Sequence, residues 1–545
     1  MQFLKHYSLK YTPLSPVHIG ADETYEPGNY VIDDESGALY GFDTHAAISG
    51  LGEVERKRLL TIVNGKPCDD MLTQIQAFFH QNKESLIGYA SSPIATARGV
   101  ADLYQKRIGK TAQHESRGRR VINKLEIERT FYNPVDNKPV FPGSSIKGAI
   151  RTALLDKIND HKKALPRERN QDFQARLFDG KFHTDPFRLI SVSDAHWNCD
   201  ESLPTRQVQF AVNRKREAVM KDGVLTKSQA EQSNLYQLLE CVPALTRQML
   251  QGSLQIQDVS QLRQDPRLPK PENQWDIKTI AKACNTFYYH LFQKELEKLK
   301  ERNYLQQAWL DKIDDLLQQG LLQKMDKGEV FLLRIGRHSG AEGVTVDGAR
   351  SIKIMQGRGN KPLYGESTPR TWWLAADEIA NKTELLPFGW VLVEIDPTEN
   401  NNSVQAGNNA LADWYQQQLQ KQTQLKEKIK QKQLLEAEKH EQEVLAEQQA
   451  QAKAEQEKQR FDNLNPLEQE IDQLFKKVPS SEHDTRLLQE LNSNRWQGEE
   501  AKQVANKVKQ LMQQADKWMP DFSGTNKKKI KLKQRSLQVQ NYLEQ

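Results

Sequence analysis

The stretch Lys138–Leu155, KPVFPGSSIKGAIRTALL, decides how the chain is read. Val140 and Phe141 look like the end of a strand, Pro142-Gly143 like a turn, and Ser144 like the N-cap of a helix running to about Leu155. A helix start carries unpaired backbone N–H groups and a partial positive charge, which suits an anion. Lys147 and Arg151 stand four residues apart and share one helical face. With the hydroxyls of Ser144 and Ser145 they compose a candidate phosphate cradle; the competing reading is an ordinary capped helix with a solvated Lys and Arg. A nucleotide P-loop is excluded. Its G-x-x-x-x-G-K-[ST] pattern comes nearest at Gly109-Lys110-Thr111, where the first glycine would fall on Tyr104.

Outward from this stretch, both strand and helix periods occur. Leu4 to about Phe42 alternates and turns like β-structure, with NYVIDDESGALYGFD as a hairpin around Asp34 to Gly37. Asp33 and Asp34 read as hairpin-turn residues. Residues 46–124 shift to helical periods (DDMLTQIQAFFH) and then to a basic loop, KTAQHESRGRRVINK, so a helical insertion is expected there. Strand-like runs return at Phe187, Arg206, Gly328, Arg350 and Gly389, with a helix over Ile277 to Arg302 between them. The mixture predicts an α+β fold.

Composition changes near Thr398. TENNNSVQAGNN reads as a linker, and Leu411 to about Arg460 is rich in Gln, Lys, Glu and Ala with no sustained heptad, so a long solvated helix is expected. Asn465 then caps a helix with Pro466 at its first position, and Leu467, Ile471, Leu474 and Val478 share a face. A small helical domain over 461–545 follows, ending in the basic run NKKKIKLKQR from Asn526. That run is either a nucleic-acid patch or a solvated tail.

The whole chain, 545 residues with a net charge of +5, is long enough for several domains and only mildly basic, so any nucleic-acid surface must be local. No apolar run approaches the ~18 residues of a membrane span, and MQFLKHYSLKYTPLSPVHIG lacks a signal peptide's apolar centre. A cytoplasmic protein is expected. Cys68, Cys199, Cys241 and Cys284 form no C-x-x-C pair, so neither zinc nor a disulfide framework is indicated.

Two further elements bear on function. LLRIGRHSGAEG, Leu332 to Gly343, places Gly336, Gly340 and Gly343 among Arg334, Arg337, His338 and Ser339. Glycines allow close backbone approach to a ligand, and Arg with His supplies donors for phosphate or base. SPVHIG puts His18 just after the first strand.

In this order the pieces resemble the RAMP superfamily of CRISPR-associated RNA-binding proteins. IERTFYNPVDNKPVFPGSSIKGAIRTALL is similar to the signature of the end-capping Csm-type backbone subunit of the type III-A effector complex, and PRTWWLA from Pro369 fits the same family. The resemblance covers roughly residues 1–396. It implies two ferredoxin-like (RRM-like) modules, over 1–155 and 156–398. It also implies binding of the 3′ portion of CRISPR RNA, contact with target RNA, and assembly with neighbouring backbone and small subunits. Residues 399–460 and 461–545 lie outside it, and a recruited host protein is a candidate partner for them. The RNA-binding residues it suggests are His18, Ser144, Ser145, Lys147, Arg151, Arg334, Gly336, Arg337, His338, Ser339 and Gly340.

The repeated-backbone relatives cut target RNA with an aspartate after the first strand, where this chain has ADETYEPGNYVIDD, and Asn29 falls about where that aspartate is expected; Asp22 and Glu26 are near. The expectation is therefore a non-catalytic subunit with no catalytic residue, metal or cofactor. Two alternatives stand beside it. One is a CRISPR RNA processing endoribonuclease using His18 or His338, and the other a scaffold recruiting protein through its C-terminal helices.

Overall fold

The computed structural model describes residues 3–26, 28–65, 69–109, 113–114, 120–121, 125–165, 167–178, 182–199, 204–260, 262, 265–355, 361–397 and 409–544. In chain order the strands of its two large sheets are Leu4–Pro13 (β1), Gly20–Tyr25 (β2), Tyr30–Ile32 (β3), Ala38–Phe42 (β4), Ala90–Thr96 (β5), Ile127–Thr130 (β6), Ile190–Val192 (β7) and His196–Trp197 (β8). They continue with Gln207–Lys215 (β9), Tyr236–Cys241 (β10), Leu250–Gln257 (β11), Val330–Arg334 (β12), Thr371–Ala376 (β13) and Trp390–Ile395 (β14). The helices used below are Gly143–Asn159 (α1), Ile277–Glu301 (α2), Asn409–Asp462 (α3), Pro466–Phe475 (α4), His483–Asn492 (α5), Gly498–Gln514 (α6) and Lys527–Glu544 (α7).

The first sheet runs β8-β11-β1-β14-β12, with β7 also on β11, and every pairing is antiparallel. Leu9 and Tyr11 of β1 are fully buried because β11 and β14 flank the strand on both sides. Helices α1 and α2 pack on this sheet. In α2, Asp276 caps the start by accepting from the Thr279 N–H at 2.8 Å. Ile280, Cys284, Phe287, Tyr288, Phe292, Leu296 and Leu299 then recur at helical spacing and are buried. Each such side chain contributes about 1.5–3 kcal/mol of burial.

The second sheet runs β2-β6-β10-β9-β5-β4-β3, with β13 also on β9. The hairpin expected around Asp34 to Gly37 is β3–β4, and Asp33 closes it by accepting from Ser36 Oγ at 2.6 Å. The architecture is α+β, as the mixture of periods predicts.

Three expectations change. Both sheets draw strands from either side of residue 155 and share one apolar core, so no division of sheets falls there. The segment 46–124 is not purely helical, because Ala90–Thr96 enters the second sheet between β4 and β9; its alanines and serines hid a strand whose partners are distant in sequence. Of the basic loop in that segment, only a short pairing of Gln113–His114 with Arg120–Val121 is described, and the rest lies outside the described residues, as do Cys68, residues 110–111 and the linker 398–408.

The third change concerns α3. It is helical as expected, but its first turns are not solvated. Tyr415, Gln418 and Gln422 are buried against the β3–β4 hairpin and the helices around residue 87. Gln422 donates to the carbonyls of Ile87 (3.2 Å) and Ala90 (2.7 Å), Trp414 Nε1 donates to Ser36 O, and Lys421 pairs with the buried Asp33 at 3.0 Å. Glutamines make this face look polar in sequence while their amides satisfy backbone groups in the structure. From residue 430 to residue 460 the helix is exposed all round.

The chain divides into two compact units, Met1–Gln431 and Lys432–Gln545. The second has its own core of Ile471, Leu474, Leu487, Leu488, Leu491, Val504, Val508, Met512 and Val539. Asn465 and Glu468 form the capping box that opens α4.

Candidate nucleic-acid interface

The start of α1 does not present the cradle its sequence suggests. The N-cap is Pro142, not Ser144, and no side chain caps from within the helix. Instead Asp194, just after β7, accepts from the Gly143 N–H at 2.7 Å, so a carboxylate already occupies the anion position. Gly143 packs so closely that a Cβ there would stand 2.3 Å from Val192 O. Lys147 Nζ donates to the carbonyls of Phe187 (2.9 Å) and Ile190 (2.7 Å), and burial lowers its pKa. Arg151 grips both oxygens of Asp185 at 3.0 and 2.6 Å, donates to Gln174, and lies over the rings of Phe178 and Phe187. Ser144 is exposed and Ser145 partly so. The Lys and Arg are therefore fasteners that hold α1 to the segment 185–190; spacing showed their common face but not that the face was covered.

The other two sequence elements do meet. His18 O accepts from the Arg337 N–H at 2.7 Å, and a Cβ on Gly336 would stand 2.3 Å from that same oxygen. Gly336 sits at φ +84°, a conformation that favours glycine. Its close approach is thus to the chain's own backbone. His18 is 0% exposed; its Nδ1 lies 2.7 Å from Glu240 O, and since a carbonyl only accepts, Nδ1 carries the proton. Burial lowers its pKa, against the opposing pull of that hydrogen bond.

Glu240 on β10 is the hub that sequence reading missed. Its fully buried carboxylate accepts from Arg206 Nη1 (3.0 Å), Tyr25 OH (2.9 Å) and the Thr130 N–H (3.0 Å). A Glu inside the apolar run YQLLEC, with an Arg just before strand β9, was the available signal.

Along the glycine-rich loop, Arg334 is buried, paired with Glu295 at 2.9 Å and placed over Trp390. Ser339 Oγ donates to Gly336 O, and Gly340 opens a single helical turn at φ +73°. His338 Nε2 lies 2.9 Å from Gln237 Oε1, and its ring stacks on Trp373. Burial, with Arg337 adding to it, pushes its pKa down to about 3. Of the loop's expected contact residues only Arg337 is exposed, and it pairs with Glu128.

Arg337 borders a cleft of about 510 Å³ whose walls include Gly20, Asp22, Glu23, Glu128, Arg129 and Gln237. Arg129 Nη1 donates to Glu23 (2.9 Å) and to Tyr132 OH (2.8 Å), and its guanidinium lies 3.9 Å from the Tyr132 ring centroid. The cleft thus holds two arginines, each paired with a partly exposed carboxylate, beside an aromatic ring. Asp22 lies here on β2 at φ +56°, whereas Asn29 is a turn residue whose Oδ1 accepts from the Glu26 N–H. Among the described residues no three His, Cys, Asp or Glu side chains converge as metal ligands do, and no helix is long and apolar enough to cross a membrane.

No curated protein matches the chain. Among solved structures, one chain of a cryo-EM structure of a Csm–crRNA–target RNA ternary complex from a type III-A CRISPR-Cas system covers 71% of this chain and is itself covered over 100% of its length, at 14% identity and a TM-score of 0.44. That likeness is too distant to carry an argument. The family model of the RAMP superfamily matches residues 10–340, which include His18, the Lys138–Leu155 stretch and the glycine-rich loop through Gly340. The chain belongs to the RAMP superfamily.

Proposed function

We propose that this chain is a non-catalytic CRISPR RNA-binding and assembly subunit of a type III-A interference complex. In that complex it caps the head end, holds the 3′ portion of the CRISPR RNA, and works in the cytoplasm. The observation that carries the reading is the junction of the 17–20 and 335–340 loops, which sits inside the family match and borders a cleft lined by Arg129 and Arg337, with Tyr132 packed against Arg129. Arg337, exposed and held by the partly exposed Glu128, can exchange that partner for phosphate at small cost; Arg129 is mostly buried, and the Tyr132 ring against it offers a stacking surface. The capping position and the neighbours, backbone subunits, small subunits and target RNA, rest on the motif resemblance.

The buried state of both histidines favours this reading over a processing nuclease. A general acid or base must reach the proton it moves and titrate near working pH. His18 is wholly enclosed and His338 is held neutral by burial.

The test is co-expression with neighbouring subunits and CRISPR RNA, followed by mapping of copurified RNA and every target cleavage position in wild-type and Asp22→Ala assemblies. CRISPR RNA should copurify without shortening that depends on this subunit, and all cuts should persist in the variant. Loss of one specific cut with assembly and RNA content unchanged would overturn the non-catalytic reading.

A further inference from the structure

The second unit, outside the residues matched by the family, carries a charge arrangement that its own fold does not use. Residues 527–535 hold Lys527, Lys528, Lys529, Lys531, Lys533 and Arg535 and no acid. They are not a loose tail but the first turns of α7, anchored by the buried Ser536 and Val539. The remaining ion pairs of this unit join Lys476 to Asp472, Arg486 to Glu490, Arg495 to Glu470 and Glu490, and Lys517 to Asp484. Among the described residues none of them involves the six cations. Lys533 donates to Phe522 O and Arg535 to Thr485, while Lys527, Lys528, Lys529 and Lys531 are exposed.

Such crowding is unfavourable within the unit itself. Like charges at i,i+4, here Lys527 with Lys531 and Lys531 with Arg535, repel, and cations at a helix start oppose its dipole. A polyanion would relieve both. One partly buried aromatic ring lies against these lysines: Phe522, with Lys529 Nζ 5.7 Å from its centroid; Trp518 instead carries Lys509 of α6, whose Nζ is 5.4 Å from its centroid. Cations beside aromatic faces make the combination that holds single-stranded nucleic acid, phosphates on the charges and bases on the rings. An acidic protein surface would use the charges alone.

We infer that the first turns of α7, with Phe522, form a second RNA-binding surface that takes single-stranded RNA without regard to sequence. This surface is independent of the RAMP cleft and does not depend on the reading proposed for it.

The test uses the full-length chain and a labelled oligouridine titrated across salt concentrations. Changing Lys527→Gln, Lys528→Gln and Lys531→Gln together should flatten the salt dependence by about 2, at roughly 0.7 per lost phosphate contact. Phe522→Ala should weaken binding roughly tenfold while leaving the salt slope in place. The triple variant should melt no lower than wild type, since the removed charges oppose the helix dipole, and should still retain CRISPR RNA in the assembled complex. An unchanged slope in the triple variant overturns the inference. So does displacement of the oligouridine by polyglutamate as readily as by unlabelled RNA, together with no effect of Phe522→Ala; that result assigns the surface to an acidic protein.

Discussion

Two helix starts in this protein carry lysine and arginine at helical spacing, and they have opposite fates. At the start of α1, Lys147 and Arg151 are spent inside the fold, on two carbonyls and on Asp185, and Asp194 fills the anion position. At the start of α7, four lysines stay exposed with no carboxylate among their described partners. A motif says which side chains share a face. Whether another segment has already taken that face depends on tertiary structure, here the segment 185–194, which sequence spacing from α1 does not reveal.

The contrast is broken most severely where charge is fully buried. Arg206→Leu removes the cation that Glu240 faces and leaves a carboxylate enclosed with only Tyr25 and the Thr130 N–H. Loss of one partner of a buried pair costs about 3–5 kcal/mol. Denaturant unfolding should show that loss in the first unit, and a double change of Arg206→Met with Glu240→Leu should recover much of it. If the single variant is as stable as wild type, Glu240 is not the tie between His18, β6 and β9.

The next largest effect separates the two meanings of the Lys138–Leu155 stretch. Arg151→Ala should cost about 2 kcal/mol, because it removes charge-assisted hydrogen bonds in a partly buried site and ring contacts with Phe178 and Phe187. RNA affinity of the folded protein and its salt slope should not change. A normal melting curve with a flatter salt slope would restore the phosphate cradle and undo the contrast with α7.

These expectations also show where sequence was sufficient. The β3–β4 hairpin, α2, and α4 with its Asn465 cap follow from local period and, for α4, capping chemistry, which neighbouring residues determine. The strand Ala90–Thr96 and the docking of α3 do not, since β5 is defined by partners at residues 38–42 and 207–208, and α3 by backbone groups at residues 87 and 90. At the candidate site the two loops were legible as glycine- and histidine-bearing turns. Their meeting was not, because the contact is between backbone atoms of His18 and residues 336–337. Glu240 and Arg206 stayed hidden because a lone acid in an apolar strand identifies a buried partner's existence and not its position.

The docked part of α3 gives a pH-dependent effect of smaller size. Burial works to raise the Asp33 pKa, but hydrogen bonds from Ser36 and Lys421 and the charges of Lys421 and Lys83 outweigh it, so the folded value lies below the ordinary 3.8. Above pH 4 the group is charged in both folded and unfolded chains and the stabilisation is fully present. As pH falls from there toward the folded pKa, the unfolded chain takes up the proton first and the stabilisation is lost. Hydrogen-exchange protection over residues 412–425, taken relative to the unstructured rate at each pH, should fall in that acid window, and Lys421→Met should lower protection near neutral pH toward the acid value. Protection that is independent of pH across the window would mean that the Gln418 and Gln422 contacts hold α3 without the ion pair.

The smallest stability effect belongs to Arg337, and it tests the cleft itself. Its partner Glu128 and its own side chain are each more than a third exposed, so the pair contributes less than about 1 kcal/mol after solvent screening. Its backbone N–H, which holds His18 O, is untouched by a side-chain change. Arg337→Ala should therefore melt like wild type while reducing the salt slope of RNA binding by roughly 0.7. Glu128→Gln should move binding the other way, because it frees the guanidinium without removing it and lessens the negative charge of the cleft wall. Opposite shifts from two partners of one ion pair, with no change in melting, are the signature of a cation held ready for phosphate. If both variants weaken binding alike, or neither does, the arginine serves the fold as Arg151 does and RNA follows another path across the protein.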